Sequence, residues 1–338
     1  MKINKSNYFC RAYRIEIRGK QRKTLVMKKQ FGVLLIAILC THLSLVHAQP
    51  HAAISDIFQA HKQGESTYSE VKSLFSSHEP QFILDNCLYY LNSQEESDRQ
   101  MAVKLIYKVA QQATAQRIKH KATYQLVNKG LRDPSATVIF RTINYLESLP
   151  VDCFDTNTKN NLAGTLTSKP PHFKSMIRLS GLLQMDQLIP YYSSILHKDS
   201  TLNRSTQWNL HLTLGRLGDQ EQVNYCIGQV ARIGMNDEVI YRLLPDLLYL
   251  NHKLVIDFLL DQLLTENNSC SSADPDHEVA IDCGYRLAEA VAPYVQDFPI
   301  RVDASGDLDT DNYAQALITI REWITTNRQN YQVQWEHK

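Results

Sequence analysis

The chain has 338 residues, is 43% hydrophobic and 21% charged, and carries 36 Lys+Arg against 35 Asp+Glu. The charge is unevenly placed: residues 1–48 hold 10 of the basic and 1 of the acidic side chains, so residues 49–338 have a net charge of −8. An acidic balance of that kind argues against a general phosphate-backbone binder, which needs a basic face, and no nucleic-acid partner is expected.

From Met27 the chain reads MKKQFGVLLIAILCTHLSLVHA: two lysines, an apolar run from Phe31 to Cys40, and Val46-x-Ala48 as a small-residue cleavage signal. This is the pattern of a secretory signal peptide over residues 27–48. Residues 1–26 are too long and mixed for an ordinary n-region, so Met27 is the expected start, with the upstream part an extension of the gene model or a lengthened n-region. The apolar core is shorter than the roughly 20 residues that span a bilayer, so no stable membrane insertion is expected after cleavage near Ala48. The mature chain, Gln49 to Lys338, is then exported, to a periplasm or to the extracellular medium.

Beyond the leader, helical spacing dominates and sustained alternation is nearly absent. Residues 49–93 are predicted to hold two or three short helices, between Ala52 and Leu91, as an N-terminal cap. Helix pairs follow at about 97–130, 134–167, 171–198, 202–234, 236–267 and 275–328, with starts 31 to 40 residues apart. Asp133-Pro134 sets a cap residue before a proline tolerated at a first helical position, and Lys169-Pro170-Pro171 and Asp274-Pro275 punctuate two further starts. Pro190, Pro245 and Pro293 fall inside helical patterns, which predicts kinks or later starts there.

The most informative stretch is Leu214-Gly215-Arg216-Leu217-Gly218-Asp219. Upstream, Leu210, Leu214 and Leu217 recur at i, i+4 and i+7, while Trp208 and Leu212 make a second apolar strip, so this helix is predicted to be sandwiched. Gly218 is placed to close it in the left-handed conformation, and Asp219 to cap the next. Val223, Ile227 and Val230 then carry a new stripe that Ile233 extends before Gly234. This turn resembles the inter-helix turn of a HEAT repeat, with residues 131–149 (Leu-Arg-Asp-Pro, then Val138, Ile139, Ile143 and Leu146) the next best match. The resemblance covers roughly residues 97–330 and implies an all-α fold, an α-solenoid of stacked antiparallel helix pairs over residues 94–330; an irregular helical bundle is the alternative. The arginine often found inside the first repeat helix of the family corresponds to Arg141 in the second unit and has no clear counterpart elsewhere.

Such repeats bury their apolar faces by stacking and leave long surfaces on each side, which HEAT-like proteins generally use for protein contacts. The resemblance therefore implies a non-enzymatic scaffold or adaptor with a protein partner. On the second helices, said to line the concave side, Tyr191, Tyr192 and His197, and His120 with Tyr124, are the candidate binding residues, since Tyr is both apolar and able to hydrogen bond. The alternatives are an enzyme of hydrolase or lyase-like type with a site in the concave face, and an envelope polysaccharide binder using exposed aromatics.

No G-x-S-x-G elbow, H-E-x-x-H helix, Gly-rich phosphate loop or C-x-x-C pair is present, so no catalytic residue and no cofactor is expected. His277-Glu278 and His78-Glu79 read as helix-start or solvent-facing dipeptides. Five cysteines remain in the mature chain, and Cys270 with Cys283 would close a short loop across an Asn/Ser/Asp-rich turn. Cys226 lies on an apolar face and reads as a structural thiol. Asp303, Asp307, Asp309 and Asp311, around Gly306, form a weak calcium candidate whose spacing does not fit an EF-hand; the simpler reading is a turn followed by helix-capping carboxylates. Phe298, Ile300 and Val302 alternate just upstream, which predicts a short extended piece. Trp323 and Ile324, with Leu317 and Ile320, are expected to seat the last helix, and the polar stretch after Asn327, which ends in the C-terminal tail, residues 331–338, to fray.

Overall fold

Apolar residues at helical spacing become helices along nearly all of the chain that the computed structural model describes, residues 52–265, 269–271 and 280–335. The signal-peptide and upstream readings, Asp274-Pro275 and His277-Glu278 lie outside the described residues. Three short helices come first, α1 (Ala52–Lys62), α2 (Tyr68–Ser77) and α3 (Pro80–Tyr90). Five pairs follow: α4 (Glu96–Gln112) with α5 (Gln116–Asn128), α6 (Ala136–Glu147) with α7 (Thr156–Leu166), α8 (Phe173–Leu182) with α9 (Ile189–Lys198), α10 (Arg204–Arg216) with α11 (Gln220–Ile233), and α12 (Leu244–Tyr249) with α13 (Lys253–Leu263). The last two are α14 (Gly284–Val291) and α15 (Tyr313–Asn327). A two-residue antiparallel ladder, Ser269–Cys270 against Ile281–Asp282, is the one named sheet among the described residues. The fold is all-α.

The boundaries follow from local chemistry. Gly218 takes φ +101° after α10, and the Asp219 carboxylate accepts from the backbone N–H of Glu221 (3.0 Å) and Gln222 (3.3 Å) at the start of α11. Asp155, Asn203 and Asn312 cap α7, α10 and α15 in the same way, each satisfying a donor that helix geometry leaves free. The three suspect prolines mark later starts. Pro190 and Pro245 sit in the first turns of α9 and α12, and Pro293 in a 3₁₀ turn, Ala292–Tyr294, after α14. A π-helical turn, Val239–Leu243, precedes α12, so the helix predicted from residue 236 is not a continuous α-helix. Pro245 has no N–H to continue an α ladder across that joint.

The packing order runs in two rows. The first helices α4, α6, α8, α10 and α12 each pack on the next in the series; among the second helices α3 packs on α5, α5 on α7, and α11 on α13. Cross-row pairs join α4 to α5, α7 to α8, α10 to α11 and α12 to α13, while α9 packs chiefly on α10. Helix α10 is sandwiched: Leu210 and Leu214 belong to an apolar cluster extending back to Ile54, and Leu212 to a second cluster extending forward to Tyr331. Leu217 stays half-exposed, outside both.

Polar links tie successive units. Arg99 (8% exposed) donates from Nε to Asp133 Oδ2 at 2.7 Å and also to the carbonyls of Ser93 (3.0 Å) and Gln94 (2.9 Å). Asp133 in turn accepts from Ser135 N–H at 2.8 Å, so the residue read as a cap also anchors the preceding unit. Arg132 reaches Asn161 at 2.7 Å and Thr165 at 3.1 Å one unit further on.

At the C-terminus the expected fraying is corrected for the residues described, through 335. Tyr331 is buried and donates to Asp257 Oδ1 at 2.7 Å, Val333 bridges Val295, and the Gln334 N–H donates to the Tyr294 carbonyl at 2.9 Å. The tail holds because it finds unpaired backbone at the Val295 segment and an acidic partner on α13. Among the described residues no helix is long and apolar enough to cross a membrane.

Candidate functional site

Four successive first-row helices bring Glu147 (the end of α6), Arg178 (α8), Arg216 (the end of α10) and Tyr249 (the end of α12) to one cavity of about 470 Å³. The spacing of the helix pairs does this: Arg216 hydrogen-bonds groups 35 residues before it and 33 after it. Tyr249 is the centre. Its hydroxyl donates to the Arg178 carbonyl at 2.8 Å and lies 3.2 Å from Thr213 Oγ1, and the guanidinium carbons of Arg178 and Arg216 sit 4.3 and 4.9 Å from its ring centroid. Burial pushes the Tyr249 phenol up to about 12, despite the hydrogen bond from Thr213 and the two nearby cations, so the ring serves as a neutral platform.

The two arginines differ. Arg178 is ion-paired with Asp246 Oδ1, whose other oxygen accepts from Trp208 Nε1 at 2.6 Å. Arg216 donates through Nε to the Gly181 carbonyl (3.2 Å) and through Nη1 to the Tyr249 carbonyl, and among the described residues it has no carboxylate partner. Desolvation lowers its basicity, opposed by Tyr249 and reinforced by the like charge of Arg178. Glu147 keeps one face to solvent, but crowding on the other pushes its carboxyl above the usual range against the pull of Arg178. Leu182, Ile240, Leu244 and Leu248 supply apolar wall, and Tyr294 and Trp335 bring the C-terminal segment to the same cavity.

On the other side of Asp246 a second cleft, about 420 Å³, opens between α10 and α11. Trp208 and the exposed Tyr225 line it, and Tyr225 stacks on His211 with centroids 4.0 Å apart and planes at 26°. Burial holds His211 below its usual range, with the Gln222 hydrogen bond pulling the other way. Asp246 therefore ties the two sites through one carboxylate.

The residues anticipated from the sequence fall elsewhere. Tyr192 is fully buried, its hydroxyl 2.7 Å from Ser180 Oγ, and is a core residue with no surface to offer. Tyr191 is half-buried and packs against the same core, and its hydroxyl lacks a partner among the described residues. His197 is exposed and bonded to the Ser193 carbonyl of its own helix at 2.7 Å. His120 is held at 3.0 Å from the Asp152 carbonyl, and Tyr124 is half-buried on the same helix. These two lie on α5, which packs on α4, α6 and α7, while the others lie on α9, which packs chiefly on α10; neither group lines either cavity.

The calcium candidate lies on a tight turn. Asp303 Oδ1 accepts from the N–H of Ser305 (2.8 Å), Gly306 (3.1 Å) and Asp307 (3.3 Å) and from the Ser305 hydroxyl, so that oxygen serves its own turn. Val302 bridges Leu308 across that turn, while residues 299–300 form a bend, so the extended piece expected over Phe298–Val302 is reduced to that one bridge. Asp307, Asp309 and Asp311 are exposed on it, and among the described residues no group of three acidic, histidine or cysteine side chains is set to hold a metal. Cys270 and Cys283 form a disulfide, with S–S 2.13 Å and Cα atoms 5.0 Å apart; Cys87, Cys153 and Cys226 are free and buried.

Arg178, Tyr249 and Glu147 were not singled out by pattern, and Arg216 entered only as part of a turn. The available signal was the recurrence of Gly181, Arg216 and Tyr249 about one repeat apart at the ends of first helices. No family model, no curated protein and no solved structure matches this chain.

Proposed function

We propose that the chain is an exported, HEAT-like helical-repeat protein that acts as a non-enzymatic scaffold, binding a protein partner across the faces of its first-row helices. The observation that carries this reading is the two-row packing order, in which one cavity is lined from four consecutive first-row helices. That order supports an α-solenoid over an irregular bundle, because each first-row helix meets its counterpart one unit away. The charged groups of the cavity favour binding over proton transfer: Arg178 is neutralised by Asp246, the Tyr249 hydroxyl is committed to a backbone carbonyl, and Arg216 offers N–H donors. Export rests on the leader, and the disulfide between Cys270 and Cys283 accords with an oxidising compartment.

The test is a cross-linked pull-down of residues 49–338 from envelope and secreted fractions, run beside Arg216→Gln. One reproducible partner, lost or weakened with the variant, upholds the reading; equal recovery by both moves the binding face elsewhere. A second reading, an envelope-polysaccharide binder, is favoured by the Trp208 and Tyr225 rings, since flat exposed aromatics stack on apolar ligand faces. Retardation of the protein in polysaccharide affinity gels, abolished in Tyr225→Ala, would replace the first reading with the second.

A further inference from the structure

The cavity on the first-row helices holds a guanidinium, that of Arg216, with no carboxylate partner among the described residues. Arg178 has Asp246, and Asp246 has Trp208 as its second donor. Arg216 has only the carbonyls of Gly181 and Tyr249, which engage Nε and Nη1 and leave its other N–H groups without a hydrogen-bond acceptor among the described residues. Glu147 lines the same cavity but forms no ion pair with either arginine among the described residues. A positive charge placed beside a cavity and stripped of part of its water favours an anion there.

The geometry narrows the class of anion. Two carbonyl bonds and the Tyr249 ring fix the plane of the Arg216 guanidinium, so its remaining N–H groups, two on Nη2 and one on Nη1, are held in a set plane that suits a planar carboxylate. One uncompensated cation with Glu147 close by suits a single negative charge rather than a phosphate dianion. The remaining wall offers no further charge; Asn251 and Tyr294 add polar groups, and Leu182, Ile240, Leu244, Leu248 and Trp335 give an apolar face that suits an apolar or aromatic body. A cavity of about 470 Å³ has room for a group of that size.

We propose that this cavity binds a carboxylate borne on an apolar or aromatic group, gripped by Arg216 with the body against the leucine and tryptophan wall. On the scaffold reading, on which only the source of the carboxylate rests, it is the C-terminal carboxylate of a partner chain; the other source is a free small organic acid.

The experiment uses residues 49–338 and follows fluorescence, since Trp335 lines the cavity, with titration calorimetry in parallel. The probes are N-acetyl-L-phenylalanine and its amide, and a hexapeptide ending in phenylalanine as free acid and as amide. A free acid is expected to bind at least about tenfold more tightly than its amide, the difference expected for charge-assisted hydrogen bonds. Arg216→Gln, which keeps a donor for one carbonyl, is expected to erase that preference while its circular dichroism stays that of the folded protein. Equal affinity for acid and amide, or no binding of either acid up to about 10 mM, overturns the proposal; so does a folded Arg216→Gln that keeps the preference. If the variant does not fold, the acid-against-amide comparison in the natural protein decides alone. Binding of the small acid as tightly as the peptide assigns a free acid, and binding of the peptide acid alone assigns a chain terminus. Acid binding combined with a failed pull-down leaves this proposal standing and removes the scaffold.

Discussion

Gly181→Ala is the sharpest probe of how α8 meets α12. In an ordinary helix interior the change would favour the folded state by about 1 kcal/mol. At this position a Cβ would lie 2.0 Å from Tyr249 Oη, 3.2 Å from its Cζ and 3.1 Å from Thr213 Cγ2. Tyr249 must move, and its hydrogen bonds to the Arg178 carbonyl (2.8 Å) and with the Thr213 hydroxyl (3.2 Å) are lost. Overpacking costs about 1–3 kcal/mol and the two hydrogen bonds about 1 kcal/mol each, so with the propensity offset the net destabilisation is about 2–4 kcal/mol. Tyr249→Phe removes the clashing oxygen and by itself costs about 1–2 kcal/mol, through the buried carbonyl left without its donor. In the double variant the new methyl meets only the ring carbon and Thr213 Cγ2, so the total should fall short of the sum of the singles by about 1–3 kcal/mol. Urea unfolding of residues 49–338, followed by far-ultraviolet circular dichroism, measures all four corners of the cycle. Additive costs, or a Gly181→Ala midpoint equal to that of the natural protein, would refute the close approach.

Reducing the Cys270–Cys283 bond, which spans a sequence separation of 13, should lower stability by about 3 kcal/mol; an unchanged urea midpoint with and without reductant would contradict this. Burial pushes Cys153 up to about 11 and Cys226 up to about 12, and raises Cys87 further, so none of the three free thiols should react with iodoacetamide at pH 8 until urea is added. Rapid labelling of the native chain would show that one of them is reachable. Tyr331→Phe removes a hydrogen bond to a carboxylate, 2.7 Å long, and should cost about 1.5–3 kcal/mol; a cost near zero would mean that the tail is loosely held. Burial alone would raise the Asp257 carboxyl, but hydrogen bonds from Lys253, Tyr331 and Arg328 outweigh it and hold the group below its usual value of 3.8. A depressed folded value means that the contribution is present above 3.8 and disappears as pH falls through the folded value. The deficit of Asp257→Asn should therefore be full at neutral pH and shrink in acid, and a deficit constant down to pH 2 would contradict the assignment.

The helices were legible because their signals are local. Gly218 and Asp219 stop one helix and cap the next with groups two or three residues away, and the paired strips on α10, Leu210 and Leu214 against Trp208 and Leu212, fall into two separate cores as their angular positions require. The joint before α12 was less legible. Pro245 announces a break, but not that it is resolved by a π turn over Val239–Leu243. Polar composition predicts fraying of the tail only where no partner waits; Asp257 and the Val295 backbone are partners supplied by distant sequence. Residue type marks Tyr191 and Tyr192 as binding candidates, but type cannot say which side of α9 faces the core.

The site itself is illegible for a different reason, since its polar residues, Glu147, Arg178, Arg216 and Tyr249, come from four different helices. Arg178, Arg216 and Tyr249 converge because each sits in the C-terminal half of a first-row helix and those helices pack one on the next. The neutralising Asp246 lies 68 residues beyond Arg178, so whether an arginine is paired or free is decided by packing that no single repeat encodes. The same dependence gives the C-terminal segment a role beyond its own stability. Trp335 reaches the cavity only while Val333 bridges Val295 and Tyr331 holds Asp257, so a change that frees the tail should strip one wall from the Arg216 site without touching a helix of the first row.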